Sequence, residues 1–276
     1  MSQAAVEQDV KSGVSAPYLA GSIASPEQIA SWVEQFNRDG YLFLQNVLPP
    51  DLVAELKSDL EKVLAEAPHQ TGGCIELRAR MFEISAANRR LFDLEPIVSF
   101  AEALVSADCH VVHNNSFTSP PGGGITGWHQ DDAPHYVVTH GEPPTNVRLP
   151  VLLFTANYYL TDVLSIENGP TQVIPGSHLI GSPCPGNLDG TKWEPKIASC
   201  LGKAGSVVMF NNQVWHRGGP NRSNVTRCMT QISYGRRLIG HKYFPFMNYN
   251  MPEHVYKDAN PRLKRLYGFL PTGAYG

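Results

Sequence analysis

The sequence predicts an α+β chain that is mainly β. Helices come first, followed by a roughly eight-stranded double-sheet barrel of the jelly-roll type, with the N-terminal helices packed on one sheet. Three observations predict it. Apolar residues recur at helical spacing up to about residue 106. Beyond residue 108 they gather into short runs bounded by Gly and Pro. The 24 glycines and 22 prolines, plentiful in the second half, suit many strands joined by turns and do not suit a helical bundle.

The elements follow in order. Ser25-Pro26-Glu27 opens a helix: Ser25 can cap it, Pro26 suits its first turn, and Ile29, Trp32, Val33 and Phe36 recur along one face until Gly40 ends it. Tyr41 to Val47 reads as a strand. Pro50-Asp51 starts a second helix, with Leu52, Val53, Leu56, Leu60, Val63 and Leu64 on one side. Residues 86 to 106 read as a further helix interrupted near Pro96. Then come strands over Cys109 to Thr118, Val151 to Leu160, Thr171 to Ile174, Ser206 to Phe210 and Arg227 to Tyr234. No linker divides them. Residues 26–276 are expected to form a single domain behind a flexible N-terminal lead, residues 1–25.

Composition narrows the function classes. With 276 residues, 42% hydrophobic and 17% charged, the chain can build a large core. The net charge is −3 and no basic run occurs, which argues against a nucleic-acid partner. No apolar stretch is long enough to span a membrane, and the first 25 residues lack the apolar core of a signal peptide. A cytoplasmic monomer or homodimer acting on a small molecule is expected. Cys74, Cys109, Cys184, Cys200 and Cys228 are odd in number and form no CxxC pair, so reduced thiols are the default.

The chemistry is concentrated in Trp128-His129-Gln130-Asp131-Asp132. In an extended segment His129 and Asp131 leave the same face, where an imidazole and a carboxylate can share one cation. Alone, such a tripeptide is weak evidence and reads more readily as a hydrogen-bonded surface pair. A second segment adds weight: the apolar strand Ser206 to Phe210 leads to Val214-Trp215-His216-Arg217-Gly218-Gly219. A barrel that brings His216 against the first segment assembles two imidazoles and one carboxylate on one face of an octahedron. Three positions stay open, as in non-haem Fe(II) oxygenases. Arg227 follows His216 by eleven residues, and a turn and return strand bring it alongside. Its guanidinium can grip the far carboxylate of a 2-oxo acid cosubstrate in two-pronged fashion. If Arg227 faces inward, so do Met229, Gln231 and Ser233.

These residues resemble the phytanoyl-CoA dioxygenase (PhyH) family, the branch with ectoine hydroxylase and natural-product tailoring oxygenases. The resemblance lies in His129-Gln130-Asp131, Asn168-Gly169-Pro170-Thr171, Ile174-Pro175-Gly176-Ser177-His178, and His216 followed by Arg227. Phe36-Asn37-Arg38-Asp39-Gly40-Tyr41 and Leu266-Tyr267-Gly268-Phe269 extend it from about residue 30 to the end. It implies a double-stranded β-helix and an enzyme using Fe(II), 2-oxoglutarate and O₂. His129, Asp131 and His216 would be the metal ligands, Arg227 the carboxylate anchor and Thr171 a second cosubstrate contact. Gly218 departs from the pattern, since many relatives carry serine there. Asp131 disfavours halogenation, because related halogenases lack that carboxylate. The implied reaction decarboxylates 2-oxoglutarate to succinate and CO₂. It would hydroxylate, desaturate or cyclise a small metabolite in specialised-metabolite biosynthesis. The alternatives are a fatty acyl-CoA hydroxylase, for which Arg236 to Lys242 would be a thin phosphate patch, and a non-catalytic cupin-like binding protein.

Asn114, Gln130, Tyr158 and Gln231 are candidate pocket groups. His110, His113, His135 and His140 could line the pocket but more commonly play structural or surface roles, and His178 is expected to shape a turn. Trp128 and Trp215, each next to a proposed ligand, should turn away into the core. Tyr243-Phe244-Pro245-Phe246 with Tyr249 could cover the barrel mouth or pack the C-terminal tail. The loops 119–127 and 132–149 are the expected seat of substrate choice.

Overall fold

The structure is a computed structural model that describes residues 23–66, 70–72, 74–241 and 249–273. Ser25 caps α1 (Pro26–Asp39), its Oγ accepting from Gln28 N at 3.2 Å. Gly40 closes the helix at φ 79°, a left-handed conformation that glycine adopts without steric cost. β1 (Tyr41–Leu44) follows, and then α2 (Pro50–Glu66), which buries Leu52, Leu56 and Leu60. A hairpin of β2 (Gln70–Gly72) and β3 (Ile75–Ala79) leads to α3 (Met81–Ile84), α4 (Ala86–Arg90) and α5 (Ile97–Leu104). The expected helix over 86–106 is thus two helices, separated around Pro96.

The β-rich part contains β4 (His110–Ser119), β5 (Leu153–Tyr159), β6 (Thr171–Val173), β7 (Ala198–Ser199), β8 (Val207–Asn211), β9 (His216–Gly218) and β10 (Arg227–Gly235). The chain ends in α6 (Glu253–Tyr256) and α7 (Pro261–Leu266). Seven strands make an antiparallel sheet in the order β1-β8-β5-β10-β4-β3-β2, and a smaller sheet runs β7-β6-β9. This is a jelly-roll arrangement of two sheets that do not close into one continuous barrel. The extended segment around His129 joins β9 through a single bridge to His216. Pro120, Pro121 and Pro134 flank it and offer no N–H to a ladder.

Strand alternation divides the large sheet between two cores. Leu42, Leu44, Met209, Phe154, Tyr158, Ile232 and Tyr234 face the helices. Tyr41, Phe43, Val208, Phe210, Phe117, Tyr159 and Met229 face the small sheet. Phe36 of α1 joins helices to sheet, meeting Phe100 edge-on at 5.6 Å and Phe154 at 5.8 Å. No helix among the described residues is long and apolar enough to cross a membrane. The expected N-terminal lead lies outside the described residues up to residue 22.

Candidate active site

His129 and His216 are direct cross-strand partners. His129 N donates to His216 O at 3.0 Å, and His216 N to His129 O at 2.8 Å. A pair bonded in both directions presents its side chains side by side on one face, and the two rings sit 4.3 Å apart. Asp131, two residues on, shares that face. Its backbone N–H donates to Asn212 O at 2.9 Å, and its Oδ1 lies 3.5 Å from His216 Nε2 and 4.0 Å from His129 Nε2. One ligand atom from each of the three lies within 4.8 Å of the others.

Both imidazoles are oriented by the backbone. His129 Nδ1 is 2.8 Å from Gly127 O, and His216 Nδ1 is 2.9 Å from Val214 O. A carbonyl accepts only, so each ring carries its proton on Nδ1 and turns the Nε2 lone pair toward Asp131. Burial, and then the neighbouring His216 ring, lower the pKa of His129 and favour the neutral, metal-binding form. Two imidazoles and a carboxylate on one face suit Fe(II) with open positions beside them.

Arg227 lies at the start of β10, only 4% exposed. Its Nη2 donates to Ser119 Oγ at 3.2 Å, while Nε and Nη1 are buried without a hydrogen-bond partner among the described residues. Burial pushes its pKa down, yet a guanidinium stays charged in any protein. A buried cation with two idle donors fits an incoming carboxylate. The guanidinium rests against β9: a Cβ built on Gly218 would come 3.2 Å from Arg227 Nη2. Gly218 is two residues beyond His216, about 6.6 Å along a strand. That separation matches a five-carbon diacid reaching from the cluster to the guanidinium. The missing side chain at Gly218 leaves the room. Thr171 sits opposite Gly218 in the β6–β9 register, and its N–H donates to Tyr159 Oη at 3.2 Å.

The cluster, Thr171 and Arg227 line one cavity of about 180 Å³, together with Gln231 and the apolar Leu77, Phe117, Phe210 and Met229. Three other candidates fall outside it. Asn114 faces the helices: its Oδ1 accepts from Phe82 N at 2.9 Å, and its Nδ2 donates to Asn88 Oδ1 at 3.2 Å and to Gln231 O at 3.1 Å. Tyr158 is fully buried in the helix-side core. Gln130 lies on the face opposite His129 and Asp131, bonding Asp132 O at 2.7 Å and Cys184 N at 3.1 Å. One residue along, Asn115 and Asn157 do line the cavity. The sequence reading missed them. The signal was their even spacing from Ser119 and Tyr159, which share the face of Arg227.

Trp128 and Trp215 turn away from the cluster and pack with Ile174 and Leu188. His178 Nε2 bonds Asn37 O at 3.0 Å at a turn, and His110 Nε2 bonds Ile239 O at 2.8 Å, away from the cavity. Arg237 is engaged by Asp108 at 3.0 Å and by C-terminal carbonyls, so the thin basic patch considered for a CoA phosphate loses a member. Lys242 and Tyr243-Phe244-Pro245-Phe246 lie outside the described residues. Tyr249 packs on the helix-side core and donates to Glu83 Oε1 at 2.9 Å.

A jelly roll whose small sheet presents a His-x-Asp and a distal His across from a buried arginine defines a class, the mononuclear non-haem Fe(II) dioxygenases that use 2-oxoglutarate. Residues 36–229 match the family described as Phytanoyl-CoA dioxygenase (PhyH), and the chain belongs to that family. It is thus an Fe(II)- and 2-oxoglutarate-dependent dioxygenase, with O₂ as the third reactant. Among similar proteins, the ectoine dioxygenase of Nocardia farcinica is 25% identical, over 76% of this chain and 78% of its own. Dioxygenase trt7 of Aspergillus terreus is 24% identical, over 89% and 84%. The fold is similar to that of HygX from Streptomyces hygroscopicus, solved with nickel, 2-oxoglutarate and hygromycin B. The TM-score is 0.63 at 15% identity, covering 83% of this chain and 96% of that one.

Proposed function

We propose that His129 Nε2, one Asp131 oxygen and His216 Nε2 hold the Fe(II), and that Arg227 grips the far carboxylate of 2-oxoglutarate, with the Thr171 hydroxyl beside it. Residues 26–276 act as one catalytic unit on a small molecule. The reaction is hydroxylation, or desaturation or ring formation by the same oxidant, in specialised metabolism. Ectoine and hygromycin B, in the names of relatives, support a small-molecule substrate. The observation that carries the reading is the buried guanidinium of Arg227 with Nε and Nη1 unpaired among the described residues.

When bound, the iron with 2-oxoglutarate and O₂ supplies an oxidant able to take a hydrogen atom from an unactivated carbon. This chain's residues hold and aim. Gly127 O and Val214 O fix the two imidazoles, and the Asn212 carbonyl fixes the backbone at Asp131. Arg227 orients the diacid by two parallel donors. Phe117, Phe210 and Met229 keep the cavity dry on the side of the large sheet.

Protein supplied with Fe(II) and ascorbate is expected to convert 2-oxoglutarate slowly to succinate without added substrate, and His129→Ala to abolish this. Wild-type protein that binds iron but never consumes 2-oxoglutarate, with any metabolite pool added, would contradict the reading.

A further inference from the structure

Across the middle of the large sheet three carboxamides stand in one row. Gln231 of β10 is in register with Asn115 of β4 on one side and with Asn157 of β5 on the other, and all three line the cavity. Gln231 Nε2 donates to Asn157 Oδ1 at 2.9 Å, which leaves Gln231 Oε1 as an available acceptor. Asn115 is 5% exposed, and its Oδ1 is buried with no hydrogen-bond partner among the described residues. A buried acceptor left unpaired costs about 1–3 kcal/mol, so the row calls for a donor. It is not needed for the diacid's far carboxylate, which has Arg227 four residues earlier on β10, about 13 Å along the strand.

We propose that the row Asn115–Gln231–Asn157 is the substrate subsite, and that it takes hydroxyl or N–H donors carried on a compact, otherwise apolar molecule. The inference rests on the iron and 2-oxoglutarate reading above and adds the substrate class. Phe117 and Met229 flank the row and cover the apolar body. A polyphosphate headgroup is disfavoured. The second guanidinium of the lining, Arg217, donates to Gln172 Oε1 at 2.7 Å and lies over the Trp128 ring at 4.7 Å.

The test uses full-length protein with Zn(II) in place of iron, so that nothing turns over. Zn(II) and 2-oxoglutarate binding are measured first; their failure would sink the metal-site reading and this inference with it. Two probes follow by ligand-detected NMR titration: cyclohexane-1,4-diol, which donates, and 1,4-dimethoxycyclohexane, which cannot. Wild-type protein is expected to bind the diol at least about fivefold more tightly, the worth of one hydrogen bond. Asn115→Leu and Gln231→Met are expected to erase that preference. Asn115→Asp, which keeps acceptor oxygens, is expected to retain it. Equal binding of the two probes, a preference that survives both apolar variants, or no diol binding at millimolar concentration would overturn the proposal. So would a loss of 2-oxoglutarate affinity in Asn115→Leu, which would assign the row to the cosubstrate.

Discussion

Replacing Arg227 by leucine removes a buried cation whose Nε and Nη1 have no partner among the described residues. Two effects of opposite sign follow. The ligand-free protein loses an uncompensated buried charge, and an apolar residue of similar volume there is neutral or stabilising. The 2-oxoglutarate complex loses a desolvated, hydrogen-bonded charge pair, a change that costs about 2–5 kcal/mol, or roughly thirty-fold to several thousand-fold in Kd. Thermal unfolding reads both. At 2-oxoglutarate about 100-fold above Kd, the wild-type protein gains about 2.7 kcal/mol, a shift of about 5 °C for a chain of this size. Arg227→Leu is expected to unfold at the wild-type temperature or higher without cosubstrate, and to show almost no shift with it. Arg227→Lys keeps the charge without the planar fork and recovers only part of the shift. A leucine variant that keeps the full shift, or that unfolds many degrees lower without cosubstrate, would refute the assignment.

Gln213 accepts from His135 N at 2.8 Å and donates to Ala133 O at 3.2 Å, pinning the loop that leaves Asp131. Gln213→Leu is expected to weaken Fe(II) binding about 10–100-fold, as loss of such supporting contacts does; unchanged iron affinity by competition titration would contradict this. His110, His178 and His241 are held neutral by burial, His241 down to about 4 against an ordinary 6.5. The unfolded chain takes up those protons first, so stability is full above pH about 6.5 and falls as pH drops toward 4. A melting temperature flat across that window would be inconsistent. Phe36→Ala empties the junction of α1, α5 and β5 and should cost about 3–5 kcal/mol in urea unfolding.

The element types and the clustering of His129, Asp131 and His216 were legible for local reasons. Ser25, Pro26 and Gly40 mark both ends of α1, and the two-residue spacing of His129 and Asp131 puts them on one face of any extended backbone. The phase of β4 and β5 was not legible. Every residue of β5 is buried, as are all but one of β4, because helices cover one face and the small sheet the other. Hydrophobicity then shows no period of two, and Asn114 and Tyr158 were chosen where Asn115 and Asn157 face the cavity. The hairpin β2–β3 and the helix α3 are too short for periodicity to reveal. Helix α7 carried a readable signal that went unused: Asn260 caps it, accepting from Leu263 N at 2.8 Å, with Pro261 in the first turn.

Anaerobic titration of the purified protein with Fe(II) and 2-oxoglutarate, followed by visible absorption, bears most directly on the cluster of His129, Asp131 and His216. A charge-transfer band is expected at one iron per chain only when both are present. It should vanish in His129→Ala, Asp131→Ala and His216→Ala, and in Arg227→Leu it should require far more 2-oxoglutarate. A band that survives in any of the three alanine variants at wild-type iron affinity would mean that the metal sits elsewhere.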